Sequence, residues 1–417
     1  MREAVLRQGD IIVQILFFSL VNIVDIKESN IYSDLICEFV NNNHFVSVIS
    51  PIEKRYGDKE QYIIKTGYQI IKPCIGNITN TSFFEKGVSL LKLSRQIIKA
   101  IDKYIGNNKI DLFIVTTPPV TNDKIIRYIK RRYNAKIYLL LKDIWPGNIF
   151  SIKMPGGLIT QMIVHMVFRK HEINLYRLSD QIGCMSQANV DYVLKHNQLL
   201  TKEKVHINPN SIRYSQYSPI DVKEKKRIRE DYGLPIDKIC LVYSGTLGPS
   251  QDIQHVIACL KSASPLNCHF VIVGRGLQAH LLEKFIEEEK PKNVSFFDWI
   301  PKEELGRLLS ACDIGLIFLR YSCKTPSFPS RILSYMEHSM PVVSCVSPST
   351  DINKIIEEEK FGWACLSDDP QNFVNALDKA LKSDLIQYGK NGRSYMEKNC
   401  SSENSYRIIL KKILEEK

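Results

Sequence analysis

Thr325-Pro-Ser-Phe-Pro-Ser-Arg-Ile-Leu-Ser-Tyr-Met-Glu-His-Ser-Met-Pro-Val-Val-Ser344 reads as a loop, a short helix, a turn and a buried strand starting at Pro341. Pro329 suits the first turn of that helix, where a missing N–H costs nothing, and Ser327 or Ser330 is placed to cap it. A helix N-terminus presents free backbone N–H groups and about half a positive charge, which together attract phosphate. Arg331 falls in the first turn, where a cation gains nothing from the helix dipole; a bound anion accounts for it there.

Working outward, the same helix-then-strand step recurs along the whole chain, the signature of a parallel α/β architecture. Strands are expected at 11–20, 45–49, 112–116, 136–141 and 181–185, with helices over 33–42, 88–105 and 121–132. The turn-rich Asn208-Pro-Asn-Ser-Ile212 interrupts the series, and a second one follows with strands at 239–243, 270–273, 294–297, 314–318 and 342–345. These divisions give an N-terminal domain over 1–207, a second over 208–387, and one or two amphipathic helices over 388–417.

In the second series two strands end in glycines, Leu241-Val-Tyr-Ser-Gly-Thr-Leu-Gly248 and Val271-Ile-Val-Gly-Arg-Gly276. Glycine there lets a ligand approach the backbone, and in open α/β sheets ligands bind beyond the carboxyl ends of strands. Tight turns explain most isolated Gly-x-Gly pairs. Two in one domain, with the helix start at Ser330, make a stronger set. Neither meets the G-x-G-x-x-G spacing of a dinucleotide fold.

The 417 residues are 44% hydrophobic and 24% charged, an ordinary globular composition. The 11 cysteines are scattered, with no C-x-x-C pair and no Cys/His cluster at metal-ligand spacing, so no metal site is expected and a reducing cytoplasm is. The apolar run 11–24 follows Asp10, has no small-residue cleavage site, and falls short of the roughly twenty apolar residues of a spanning helix. The net charge of +11 concentrates in Lys124, Arg127, Lys130, Arg131, Arg132 and Lys136, which read as a solvated helix face or as a surface facing anionic lipid. Nucleic acid is not expected, because no recognised motif with interleaved aromatics accompanies the charge. The stretch 155–168, apolar and closed by Arg169, Lys170 and His171, reads as a core helix or as an in-plane interfacial helix.

The ordered set Asp143-Ile-Trp-Pro146, Ser179-Asp-Gln-Ile-Gly-Cys-Met-Ser186 and Asn208-Pro-Asn210 resembles the N-terminal half of family 4 glycosyltransferases. Ser244-Gly-Thr-Leu-Gly248, Val273-Gly-Arg-Gly276, Ala311-Cys-Asp-Ile-Gly-Leu316, Pro329-Ser-Arg331 and Pro341-Val-Val343 resemble the C-terminal half, over roughly residues 11 to 385. The resemblance is strongest to the bacterial subgroup of O-antigen and capsule synthesis, amino-deoxyhexose transferases among them. It implies a GT-B fold, two Rossmann-like parallel-sheet domains facing across a cleft, with the last helix crossing back to the N-domain. It implies retaining sugar transfer from a nucleotide sugar, UDP-linked by the subgroup, with no metal or other cofactor. The implied acceptor is a polyprenyl-diphosphate-linked glycan, which places the enzyme in the cytoplasm, peripheral on the inner membrane face.

Carried over residue by residue, Gly245, Thr246 and Gly248 border the donor diphosphate, and Gly274, Arg275 and Gly276 approach the nucleotide. Arg331 takes the cationic place after Pro-Ser, with Ser330 beside it, and Asp143 is the N-domain polar group near the transferred sugar. Asp143 also reads as a cap on a helix or turn, Arg275 and Lys324 as exposed loop cations, and Trp299 as core packing or, with Asp298, as a neighbour of the nucleotide base. The pattern departs where many members carry two glutamates eight positions apart: Pro326 and Ser334 stand there, leaving Ser334 to meet the ribose, with Glu337 one turn on. A catalytically silent GT-B partner protein and a GT-B sugar epimerase are the alternatives.

Overall fold

The computed structural model describes residues 12–79, 81–147, 156–214 and 219–414. The chain divides into two compact units, residues 1–213 with 401–417, and residues 214–400.

The first unit contains β1 (Gln14–Phe18), β2 (Phe45–Ile49), β3 (Ile52–Glu53), β4 (Gln61–Lys65), β5 (Tyr68–Lys72), β6 (Cys74–Ile75), β7 (Leu112–Thr116), β8 (Lys136–Leu141), β9 (Gln181–Cys184) and β10 (Val205–Ile207). Eight of these form a sheet in the order β10-β9-β8-β7-β1-β2-β5-β4, and β3 pairs with β6 apart from it. Neighbours in the large sheet run parallel except the β4–β5 hairpin. Alternate side chains of one strand enter different cores: Phe113 and Val115 pack on one face, Leu112 and Ile114 on the other. That is why β7 is buried along its whole length.

The last helix, Ser402–Leu414, belongs to this unit. Ile409 is buried in the second core, and the Tyr406 ring lies edge-on to Phe39 at 5.0 Å. Ser402 Oγ donates to Glu38 at 2.8 Å, and the Tyr406 hydroxyl bonds His44 Nε2 at 3.0 Å. Asn208, the border read from sequence, is interior: it donates to the Tyr138 hydroxyl at 2.9 Å and accepts from Ser405 Oγ at 2.7 Å.

The helix Gly157–Leu178 inverts the usual polarity. Gln161 and Glu172 are buried, whereas Leu158, Ile159, Met162, Ile163, Met166 and Val167 are between 50% and 73% exposed. Of the two readings of this stretch, a core helix is thereby overturned for residues 157–168; Pro155 lies outside the described residues, as does Ile11 of the first expected strand. Among the described residues no helix is long and apolar enough to cross a membrane.

The second unit contains β11 (Ile239–Ser244), β12 (Cys268–Val273), β13 (Val294–Phe297), β14 (Ile314–Phe318), β15 (Val342–Val346) and β16 (Gly362–Leu366). They form one parallel sheet in the order β13-β12-β11-β14-β15-β16. The chain winds outward from β11 in one direction, then returns to β14 and winds in the other. The ends of β11 and β14 therefore flank the topological switch point, where a doubly wound sheet leaves a crevice. At the opposite end Asp313 accepts from the Cys240 N–H at 2.7 Å and from buried Arg229 at 2.6 Å, fixing the start of β11 against the loop before β14.

Candidate active site

The parallel pairing of β11 and β12 continues into their loops. The Gly245 N–H donates to Val273 O at 2.9 Å, the Leu247 N–H to Arg275 O at 2.8 Å, and the Gly274 N–H to Phe297 O at 3.0 Å. This packing explains two glycines in a way the sequence did not suggest. A Cβ on Gly274 would lie 1.9 Å from Gly245 O, and one on Gly276 would lie 2.2 Å from Leu247 O. Those residues are glycine because another backbone is already there. Gly245 and Thr246 are exposed, and Gly245 has φ +141°, a conformation that side chains rarely adopt. Of the donors expected on this loop, the Gly245 N–H is therefore occupied. The Thr246 and Gly248 N–H groups have no protein partner among the described residues.

Arg331 opens the helix Arg331–Glu337. Its guanidinium carbon stands 4.2 Å over the centre of the Tyr243 ring, and a Cβ on Gly245 would come within 3.0 Å of it. Among the described residues no carboxylate pairs with it, and its buried Nη1 has no hydrogen-bond partner. A buried donor left unpaired is costly, on the order of 1–3 kcal/mol and more when charged. Burial raises the phenols of Tyr243 and Tyr335, and the Arg331 charge opposes that rise at both. Both rings are neutral partners of the cation. Tyr335 also fixes the strand end, since its hydroxyl accepts from the Ser244 N–H at 3.1 Å and donates to Leu316 O at 3.2 Å.

The helix itself contributes less than the sequence reading assigned to it. It has seven residues, and its N-cap Ser330 takes helical backbone angles with no side-chain cap bond, so the expected Ser330 cap does not form. Pro329 precedes the N-cap instead of occupying the first turn. The positive charge at this place is that of the Arg331 guanidinium. Ser330 is exposed and Ser334 half-buried, on the helix that carries Arg331.

Arg275 is occupied. It grips Asp298 through Nε and Nη2 at 2.9 and 2.6 Å and lies over Trp299 at 5.6 Å. Trp299 is 61% exposed, so its expected role as core packing is overturned. Such a surface pair contributes little stability but orients the ring.

Asp143 lies in the first unit, just beyond β8. Its backbone is clamped by Thr117, whose hydroxyl accepts from the Lys142 N–H at 3.0 Å and donates to Asp143 O at 3.1 Å. Lys142 ties this turn to the loop after β10 through Asn208 O at 3.2 Å and Pro209 O at 3.0 Å. The Asp143 side chain is exposed, yet the surrounding protein raises its carboxyl by desolvation, with the Ile144 N–H pulling the other way. Exposure limits that effect, and no stability is ascribed to it. The neighbouring Tyr32 hydroxyl is pushed up to about 12, chiefly by burial and also by the Asp143 charge. Trp145 packs edge-on to Phe168 at 6.0 Å, fixing one side of the turn.

Residues 224–399 match the family described as Glycosyl transferases group 1. The chain is 24% identical to a Pseudomonas aeruginosa relative named "Probable glycosyltransferase WbjE", over 64% of this chain and 65% of that one, just under two thirds of the relative's length. Among solved structures it is similar to Anabaena HepE in complex with UDP and glucose, with a TM-score of 0.68, 13% identity and 97% and 100% of the two chains covered. It is also similar to WaaG, a glycosyltransferase involved in lipopolysaccharide biosynthesis, with a TM-score of 0.63, 14% identity and 95% and 99% covered.

Proposed function

We propose that this chain, which has the GT-B fold and in residues 224–399 a group 1 glycosyltransferase domain, moves a sugar from a UDP-linked donor to a lipid-linked glycan acceptor in bacterial surface polysaccharide assembly. The transferred sugar keeps its anomeric configuration and the reaction uses no metal. The observation that carries this reading is the Arg331 guanidinium, stacked on Tyr243 with no carboxylate partner and with its buried Nη1 unsatisfied, beside the exposed Gly245 turn at the switch point of the second sheet. Cleavage of a glycosyl–phosphate bond builds an oxocarbenium-like sugar and negative charge on the departing diphosphate. A fixed cation and backbone N–H groups aimed at that charge stabilise it, by several kcal/mol when preorganised. Arg331 is the cation, and the Thr246 and Gly248 N–H groups are the donors on this loop without a protein partner. The family resemblance assigns Asp143 to the transferred sugar and leaves Ser334 for the ribose.

The acceptor side of the reading rests on the first unit's surface. Lys124, Arg127 and Arg131 are exposed at helical spacing on Asp123–Tyr133, although Lys130 is held by Asp180 at 2.7 Å. With the exposed apolar stripe of 157–178, they suit a peripheral site on an anionic membrane, at on the order of 1 kcal/mol per cation near the surface.

Calorimetry of the full chain with UDP tests the reading. We expect binding by the wild type and a loss of about 10- to 100-fold in Arg331→Ala, as for a charge-assisted bond of about 1.5–3 kcal/mol. Equal binding by the variant would remove Arg331 from the site. Ser334 in place of the family's glutamate favours a second reading, a silent GT-B partner protein. That protein would bind no nucleotide diphosphate at all.

A further inference from the structure

Four residues from one helix and two strands of the second unit come together. His255 and Cys259 are one turn apart on the helix Ile253–Ser262, Cys345 is on β15 and Cys365 on β16. His255 Nε2 lies 3.4 Å from Cys259 Sγ and 3.7 Å from Cys345 Sγ, and the three atoms all fall within 4.8 Å of one another. Cys259 and Cys345 are fully buried, and His255 is half-buried.

These separations are those of ligands around one tetrahedral ion. With Zn–S about 2.3 Å and Zn–N about 2.0 Å, tetrahedral geometry places N and S about 3.5 Å apart and two sulfurs about 3.8 Å apart. A weak S–H donor to imidazole needs only one thiol; two thiols converging on one ring nitrogen is the arrangement of a ligand set. The Cys365 thiol interacts with the Cys345 thiol and lines a surface cavity of about 540 Å³ with Trp363, Lys379 and Tyr388, so solvent reaches the edge of the cluster. Cys365 is outside the 4.8 Å set, and a side-chain rotation is needed to bring it in.

We propose that His255, Cys259 and Cys345 bind a thiophilic divalent metal of the zinc class, with Cys365 closing the fourth position. On binding, each ligating thiol gives its proton to solvent and becomes a thiolate, while neutral imidazole donates the Nε2 lone pair. The ion staples one helix to β15 and β16 and needs nothing from the sugar-transfer reading.

The test uses the full chain, reduced and stripped with a chelator, then titrated with Co²⁺ and Zn²⁺. We expect one Co²⁺ per chain with intense tetrahedral d–d bands and sulfur-to-cobalt charge transfer, bleached by Zn²⁺, and a zinc-dependent rise in Tm. His255→Ala, at a half-buried position, should weaken Co²⁺ binding at least tenfold, and Cys345→Ser should lower the charge-transfer intensity. Cys74→Ala, in the first unit, should change neither. X-ray absorption of the zinc-loaded wild type is independent of any variant's folding and should show sulfur in the shell at about 2.3 Å. A shell of nitrogen and oxygen alone, no stoichiometric uptake, or an unchanged cobalt spectrum in His255→Ala overturns the site. An unchanged spectrum in Cys365→Ala overturns the fourth ligand.

Discussion

Gly274 and Arg331 are the two residues at which the candidate site is most exposed to a single change. An alanine at 274 would direct its Cβ to 1.9 Å from Gly245 O, so the two loops must part. We expect Gly274→Ala to cost about 1–3 kcal/mol in urea unfolding. Donor affinity should fall with it, because the Gly245 turn beside Arg331 moves. Wild-type stability and affinity in this variant would contradict the loop packing described. His206 supplies a second test in the first unit. Burial, helped by the Lys412 charge, depresses its pKa to about 4, below the ordinary 6.5. Between those values the unfolded chain binds the extra proton. Its contribution to stability is therefore complete above about pH 6.5 and is lost as pH falls toward 4, by at most about 3 kcal/mol. His206→Gln should flatten that part of a denaturation-versus-pH curve. At this scale the sequence named Gly274, Gly276 and Arg331, but it assigned the glycines to ligand approach. The neighbouring carbonyls that forbid a Cβ belong to a loop almost thirty residues earlier, and no local pattern shows them.

Among the elements, the helix Gly157–Leu178 departs furthest from expectation for a protein interior. Three glutamates at Ile159, Met162 and Met166 should leave Tm nearly unchanged, because those side chains are 73%, 57% and 63% exposed. The same variant should lose flotation with anionic vesicles at low salt. Retained flotation would assign membrane binding to another surface. The strands with continuous apolar runs, such as β7 and β8, were legible from sequence, because burial on both faces selects such runs. The β4–β5 hairpin was not anticipated. Its signal was present as Thr66-Gly67 between Gln61–Lys65 and Tyr68–Lys72, with Gly67 at φ +82°. Strand β10, three residues long, is too short for any periodicity to register.

In the molecule as a whole, the first unit is discontinuous in sequence and is completed by the chain's last helix. Truncation after Cys400 removes Ile409 and Tyr406 from the second core of that unit. Burial of two such side chains is worth about 3–6 kcal/mol, so the truncated chain should show a lower thermal midpoint and faster hydrogen exchange in β1 and β2. An unchanged midpoint would mean the helix is dispensable. The sequence by itself determined the alternating helix–strand order, the parallel strands of the two sheets and the glycine-ended strands, because period and composition are local properties that packing must respect. Only the tertiary structure decided which of those residues have partners. It occupied Arg275 with Asp298, left the buried Nη1 of Arg331 without one, and brought Cys345 to His255 across 90 positions. A sheet order that reverses at β11 sets these distances, and spacing along the chain carries no record of that reversal.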